Sequence, residues 1–167
     1  MKNKIKKYIK EILFFIITLT VILNIISYYK SLNLNKNNLQ IFSFKLLNEK
    51  KYNIPKDKPV IIHFWATWCP TCKLEASNIE KLSKDYEVIT IAVQSKNKEN
   101  IKKYLENNKL SFKVVDDTKG YYSKKFNIKA FPTTLIYDNQ KNLKFSEVGY
   151  TSTLGLYARM WWIQAQL

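Results

Sequence analysis

Read as a pattern of apolar and polar positions, the chain opens with a cluster of lysines and then loses charge altogether. Lys2, Lys4, Lys6, Lys7 and Lys10 precede Glu11, and the run from Ile12 to Tyr29 is uncharged, interrupted only by Thr18, Thr20, Asn24 and Ser27. As a helix that run would extend about 27 Å, near the lower limit for the ~30 Å hydrocarbon core, with Tyr28 and Tyr29 suited to the interface. The run is longer than a usual secretory-signal core and no Ala-x-Ala site follows it, so an uncleaved anchor is expected rather than a cleaved signal. The lysine-rich flank should then stay in the cytoplasm and place the rest of the chain outside it. This predicts a basic flank and transmembrane anchor over 1–30, a polar linker over 31–38 and one folded domain over 39–167.

Beyond the linker the pattern alternates between strand-like and helix-like stretches. Leu39 to Leu47 partly alternates through Ile41, Phe42, Phe44 and Leu46, and a turn-like region follows over Asn48 to Lys58. Pro59 to Trp65 is rich in β-branched and aromatic residues and reads as a buried strand, and Thr71 to Asp85 reads as a helix with Leu74, Ile79 and Leu82 apolar. Glu87 to Val93 is a second buried strand, and Lys98 to Asn107 a helix with Ile101 and Leu105 inward. Phe112 to Val115 is a short strand, and Tyr121 to Phe126 a helical piece. Thr133 to Tyr137 and Leu143 to Val148 form an antiparallel pair around the turn Asp138–Asn142. Ser152 to Gln166 reads as a last helix packing through Leu154, Leu156 and Trp161.

Both cysteines fall where the first buried strand becomes a helix, in Trp68-Cys69-Pro70-Thr71-Cys72. A C-x-x-C pair means redox chemistry or metal binding. Cys69 lies at the helix N-terminus, where unpaired N–H groups and the helix dipole favour a thiolate, and Cys72 lies one turn in. Pro70 fits the first turn, where its missing N–H costs nothing. A structural disulfide closing so short a loop constrains little of the unfolded chain. With two cysteines and one histidine, the ligands of a closed zinc site are missing, and no metal is expected.

Trp68-Cys69-Pro70-Thr71-Cys72 after such a strand resembles the active site of the thioredoxin superfamily, and Ala130-Phe131-Pro132-Thr133-Thr134 resembles its cis-proline loop. The resemblance implies an α/β thioredoxin-like fold, a central mixed sheet flanked by helices, carrying here an N-terminal transmembrane helix. It implies a protein thiol–disulfide oxidoreductase with Cys69 and Cys72 catalytic, Trp68, Pro70 and Thr71 tuning them, and Phe131 and Pro132 pairing with an extended substrate peptide. Phe131 stands where thioredoxins keep a smaller aliphatic residue. The Cys-Pro-Thr tripeptide is also similar to that of some peroxiredoxins, which continue with Glu instead of Cys72.

The N-terminal strand or hairpin resembles that of membrane-anchored TlpA-like proteins. The stretch from His63 to Glu75, with Val148-Gly149-Tyr150-Thr151 and the segment Gly155 to Trp162, resembles the suppressor-of-copper-sensitivity protein D group. His63, six residues before Cys69, stands where thioredoxin has a buried acid. It is either a satisfied core histidine or a neutral base for the Cys72 proton. Glu75 matches a glutamate that modulates the thiols in TlpA-like proteins, or is a helix surface charge. Trp65 reads as packing.

Composition adds a large positive charge, 28 Lys and Arg against 13 Asp and Glu, a formal +15. The lysines are spread along the chain without a zinc-finger or RNA-binding signature, so a solvated basic surface is expected and no nucleic-acid partner. The expected protein is a monomer in the inner membrane, single-pass, with its domain in the periplasm. Its cofactor requirement is none beyond the Cys69–Cys72 disulfide. Its partners would be protein disulfides or dithiols and a membrane thiol protein as electron donor or acceptor. Reduction of apocytochrome c cysteines and a non-catalytic copper-binding module are the competing functions.

Overall fold

The computed structural model describes residues 2–32, 34 and 37–166. Residues 33, 35 and 36 of the expected linker, and the terminal Met1 and Leu167, lie outside the described residues. Twelve elements follow in order: α1 (Lys2–Ser31), β1 (Ser43–Lys45), β2 (Lys51–Asn53), β3 (Val60–Trp65), α2 (Pro70–Asp85), β4 (Glu87–Val93), α3 (Lys98–Asn107), β5 (Lys113–Asp117), α4 (Tyr121–Lys125), β6 (Thr133–Tyr137), β7 (Leu143–Val148) and α5 (Thr153–Gln164). The central sheet has the order β5-β4-β3-β6-β7. β3, β4 and β5 are parallel, while β6 runs antiparallel to β3 and β7 antiparallel to β6. This is the thioredoxin-like α/β fold, with β3 at the centre because it is apolar enough to be buried on both faces.

Alternation along the strands divides the interior in two. Ile61 and Trp65 of β3, with Val88, Ala92, Val114 and Ile136, face the layer that includes Ile79 and Leu82 of α2, Ile101 of α3, and Leu156, Met160 and Ile163 of α5. Val60, Ile62 and Phe64, with Ile89, Ile91, Leu135 and Tyr137, face Phe44, Ile54 and Phe126 on the other side. The β1–β2 hairpin reaches the free edge of β5 through a bridge from Leu46 to Val115, which covers that edge. At the opposite edge the last turns of α1 lie beside β7, and Ser27 Oγ accepts the Val148 N–H at 2.9 Å. Leu34 is buried, joining the second layer.

Two expected packing positions of α5 are corrected, and one apolar residue of α2 also faces solvent. Leu74 of α2 and Leu154 and Trp161 of α5 are exposed, at 71%, 72% and 57% of their surface. In α5 the apolar residues occur around the whole helix, so its period alone does not select a face. Its contact with α2 is made instead by the row Leu156, Met160 and Ile163.

Candidate active site

β3 ends at Trp65, and a short turn delivers the chain into α2 with Cys69 as its N-cap and Pro70 in the first turn. Cys69 has extended backbone angles, and its Sγ accepts the Cys72 N–H at 3.1 Å. One of the unpaired donors of the helix start is thereby aimed at the sulfur, where it favours negative charge. Cys72 follows one turn in, and the two form a disulfide with a Cα–Cα distance of 5.2 Å. Both are largely buried.

The turn is held from the neighbouring loop. Ser95 Oγ accepts the Thr67 N–H, and the Gln94 carbonyl, turned by a φ of +46°, accepts the Trp68 indole N–H at 3.2 Å. Trp68 is nevertheless 59% exposed, with its ring edge-on to Phe131 at 5.8 Å. Phe131–Pro132 is a cis peptide bond, as the motif predicts. Its loop is tied by Thr133 Oγ1 donating to the Ala130 carbonyl and by the Gly149 N–H donating to the Pro132 carbonyl, both within 2.9 Å. Gly149 makes the second tie at a φ of +103°, which disfavours any side chain there.

Beneath α2 lies a band of polar groups. Thr90, His63, Thr134 and Glu147 occupy one row across β4, β3, β6 and β7. His63 is buried and its Nδ1 lies 2.9 Å from Thr134 Oγ1. Removal from water holds its pKa down to about 3, so the ring is neutral at physiological pH. Glu75 is fully buried on α2, so it is no surface charge. Its Oε1 accepts the Thr151 N–H at 3.2 Å, while Oε2 has no partner among the described residues. Burial pushes its pKa up to about 8; the Thr151 bond opposes the shift and the Glu147 charge adds to it. Glu147 is held by Arg159, whose Nε and Nη2 both approach Oε1 at 2.7 Å.

The sequence reading brought out the cysteines, their cap, Trp68, His63, Glu75 and the proline loop, and the fold brings all of them to one end of β3 and its covering helix. It missed Asn78, which binds the Thr151 carbonyl and the Tyr150 hydroxyl, and it missed Thr134, Glu147 and Arg159. Thr134 could have been found, since alternation in Thr133–Tyr137 puts it on the face of Ile136. Trp65 packs against Tyr104 and Phe112 as expected.

Two thiols that can be joined at a helix start, one polarised by a backbone donor and one sheltered, define a thiol–disulfide oxidoreductase. Comparison with known proteins narrows the class: a family model described as the AhpC/TSA family matches residues 33–146, and the chain belongs to that family. A thioredoxin-like protein of Haemophilus influenzae is 29% identical over 166 residues, covering 96% of this chain and 98% of that one. The sporulation thiol-disulfide oxidoreductase A of Bacillus subtilis is 26% identical, over 65% of this chain and 71% of that one. The crystal structure of a thiol:disulfide interchange protein from Chlorobium tepidum superposes with a TM-score of 0.68 at 23% identity, covering 77% of this chain and 97% of that one.

Proposed function

We propose that this chain is a membrane-anchored extracytoplasmic oxidoreductase that exchanges disulfides with protein substrates through Cys69-Pro70-Thr71-Cys72. The observation that carries the reading is Cys69 capping α2 while the cis Phe131–Pro132 bond lies across from it, with Trp68 against Phe131 forming an exposed aromatic wall. In the reducing direction the Cys69 thiolate attacks one sulfur of a substrate disulfide and releases the other as a thiolate that takes up a proton. Cys72 then gives up its proton and attacks Cys69 Sγ, which forms the intramolecular disulfide and releases the second substrate sulfur. Two electrons pass to the substrate, and the two protons of the dithiol end on its thiols. A membrane thiol protein resets the pair by the same steps. No cofactor beyond the disulfide is required, and the domain acts as a monomer.

The anchor is α1, which from Lys6 to Ser31 is long and apolar enough to cross a membrane. Its lysine flank supports a cytoplasmic start and a periplasmic domain in the inner membrane. Within the class, the suppressor-of-copper-sensitivity protein D group is the preferred assignment. Two of the three segments that carry that resemblance meet in space: Glu75 of α2 accepts the Thr151 N–H, and Asn78 just beyond it binds the Thr151 carbonyl. Reduction of apocytochrome c uses the same domain and anchor and differs in the substrate trapped.

The test is Cys72→Ala in the full chain in cells. Mixed disulfides through Cys69 should accumulate in membranes washed with high salt, and Cys69→Ala should trap none. Trapped apocytochrome c would move the assignment to cytochrome maturation. An absence of mixed disulfides, with Cu(I) bound by the purified protein, would replace the enzyme by a copper-binding module.

A further inference from the structure

Thr134 sits opposite His63 in the β3–β6 pairing, and its hydroxyl lies 2.9 Å from His63 Nδ1. Both side chains are buried. A threonine hydroxyl has one hydrogen to give, and Thr134 Oγ1 has no other hydrogen-bond partner among the described residues. If Nδ1 carried the imidazole proton, the Thr134 O–H would be a buried donor with nothing to receive it. If Nδ1 accepts, the hydroxyl is satisfied and the neutral ring must carry its hydrogen on Nε2.

We propose that Thr134 is a positioning residue that fixes His63 in the Nε2–H form, so that the ring meets the reduced active site as a hydrogen-bond donor and not as a proton acceptor. This rests on the redox reading of Cys69 and Cys72. His63 lies between Ile61 and Trp65 on β3, on the face whose core layer includes both cysteines. An Nε2–H within reach of Cys72 would stabilise the thiolate that this residue must become before it attacks Cys69. Of the two roles expected for His63 from the sequence, a core histidine or a base, the buried ring is kept but acts as a donor, in accord with burial that keeps it from protonating. The other ionisable groups facing this layer among the described residues include Glu75 from α2, Glu147 from β7, Arg159 and Tyr157 from α5, Tyr104 from α3 and Tyr86 after α2. Of these, Glu75 is the carboxyl with an oxygen left free to receive a proton.

His63 is the single histidine of the chain, so an imidazole ¹⁵N spectrum of the full-length protein in detergent micelles reports this ring alone. The expected spectrum has a protonated Nε2 and an unprotonated Nδ1 in both redox states. Thr134→Ser should keep it, whereas Thr134→Val should lose the single tautomer. Resolution of a preformed Cys69 mixed disulfide at neutral pH should then be about tenfold slower in Thr134→Val, with its pH profile moved to the alkaline side, and unchanged in Thr134→Ser. A protonated Nδ1 in the unsubstituted protein would overturn the assignment, and so would resolution in Thr134→Val at the original rate. A chain with the expected tautomer but no mixed disulfide at all would instead overturn the oxidoreductase reading, so the two failures are distinguishable.

Discussion

The two faces of the central sheet are built from alternate residues of the same strands, yet they solve different problems. One face of β3 presents Val60, Ile62 and Phe64 to a layer of Ile89, Ile91, Leu135, Tyr137 and Phe126, whose buried polar strand residues Thr133 and Asp117 are tied to the backbone of Ala130 and of Tyr122 and Ser123. The other presents Ile61, His63 and Trp65, and there the row through Thr90, Thr134 and Glu147 places polar groups under the helix that carries the cysteines. Burying those groups costs free energy that apolar side chains would not. On the reading proposed above, the dry face holds the fold, and the polar face accepts a penalty to bury neutral imidazole and carboxyl groups on the side of the sheet that carries the cysteines.

If that division is right, truncation on the dry face should cost the most stability and leave the chemistry alone. Phe64 is fully buried against Phe126, with ring centroids 5.3 Å apart. Phe64→Ala should destabilise the domain by about 3–5 kcal/mol through lost burial and the cavity left behind. The rate of exchange with a model disulfide, corrected to the folded fraction, should stay within about twofold. Loss of exchange in fully folded Phe64→Ala protein would break the comparison, because both faces would then serve the site.

The polar face should show itself in the pH dependence of stability, with a smaller effect. His63 has a native pKa of about 3 against an ordinary 6.5, so the unfolded chain binds its proton first and stability falls as the pH drops from 6.5 towards 3. Glu75 has a native pKa of about 8 against an ordinary 4.5, so the native protein holds a proton the unfolded chain has released, and stability falls as the pH rises from 4.5 towards 8. The two oppose each other between 4.5 and 6.5, which should give a flat top with an acid limb and an alkaline limb. Each limb spans about 1.5 pH units and is on the order of 2 kcal/mol. Unfolding of the oxidised full chain in detergent, where no active-site thiol titrates, should lose its alkaline limb in Glu75→Gln and its acid limb in His63→Asn. Limbs that persist in both variants would assign the pH dependence to other groups.

The same contrast explains what could be read from the sequence. The dry face and the site's rim are local: an apolar run gives β3, a cysteine before proline gives the start of α2, and Phe131-Pro132 before a strand gives the cis loop. Glu75 was ambiguous because a glutamate inside a helix usually faces solvent, and the N–H that binds it belongs to Thr151, far along the chain. The Glu147–Arg159 pair was invisible for the same kind of reason: β7 and α5 must both be placed before the two charges meet. On α5 the sequence misled, because Leu154 and Trp161 are as apolar as Met160 and Ile163 and only the position of α2 decides which pair is covered. Thr134 sits between these cases, since alternation places it on the polar face but only the register across β3 shows that it meets His63.

The smallest effect is expected from the part of the molecule that belongs to neither face, its cationic surface. The chain carries 28 basic against 13 acidic residues, and several of its ion pairs are at exposed sites, such as Lys45 and Lys98 with Glu49. Exposed charges of this kind act through long-range attraction that ordinary salt screens within about 8 Å. The groups that move protons and electrons lie beneath α2, and Cys69 and Cys72 are largely buried. A polyanion gathered on the surface should therefore leave them untouched. At about 0.15 M salt, adding single-stranded DNA or heparin should change the exchange rate with a neutral model disulfide by less than about twofold, and any residual effect should vanish as salt is raised. Sequence-dependent binding of the DNA that survives high salt would show that the surface has a specific role. The division of labour between the two faces would then need a third participant.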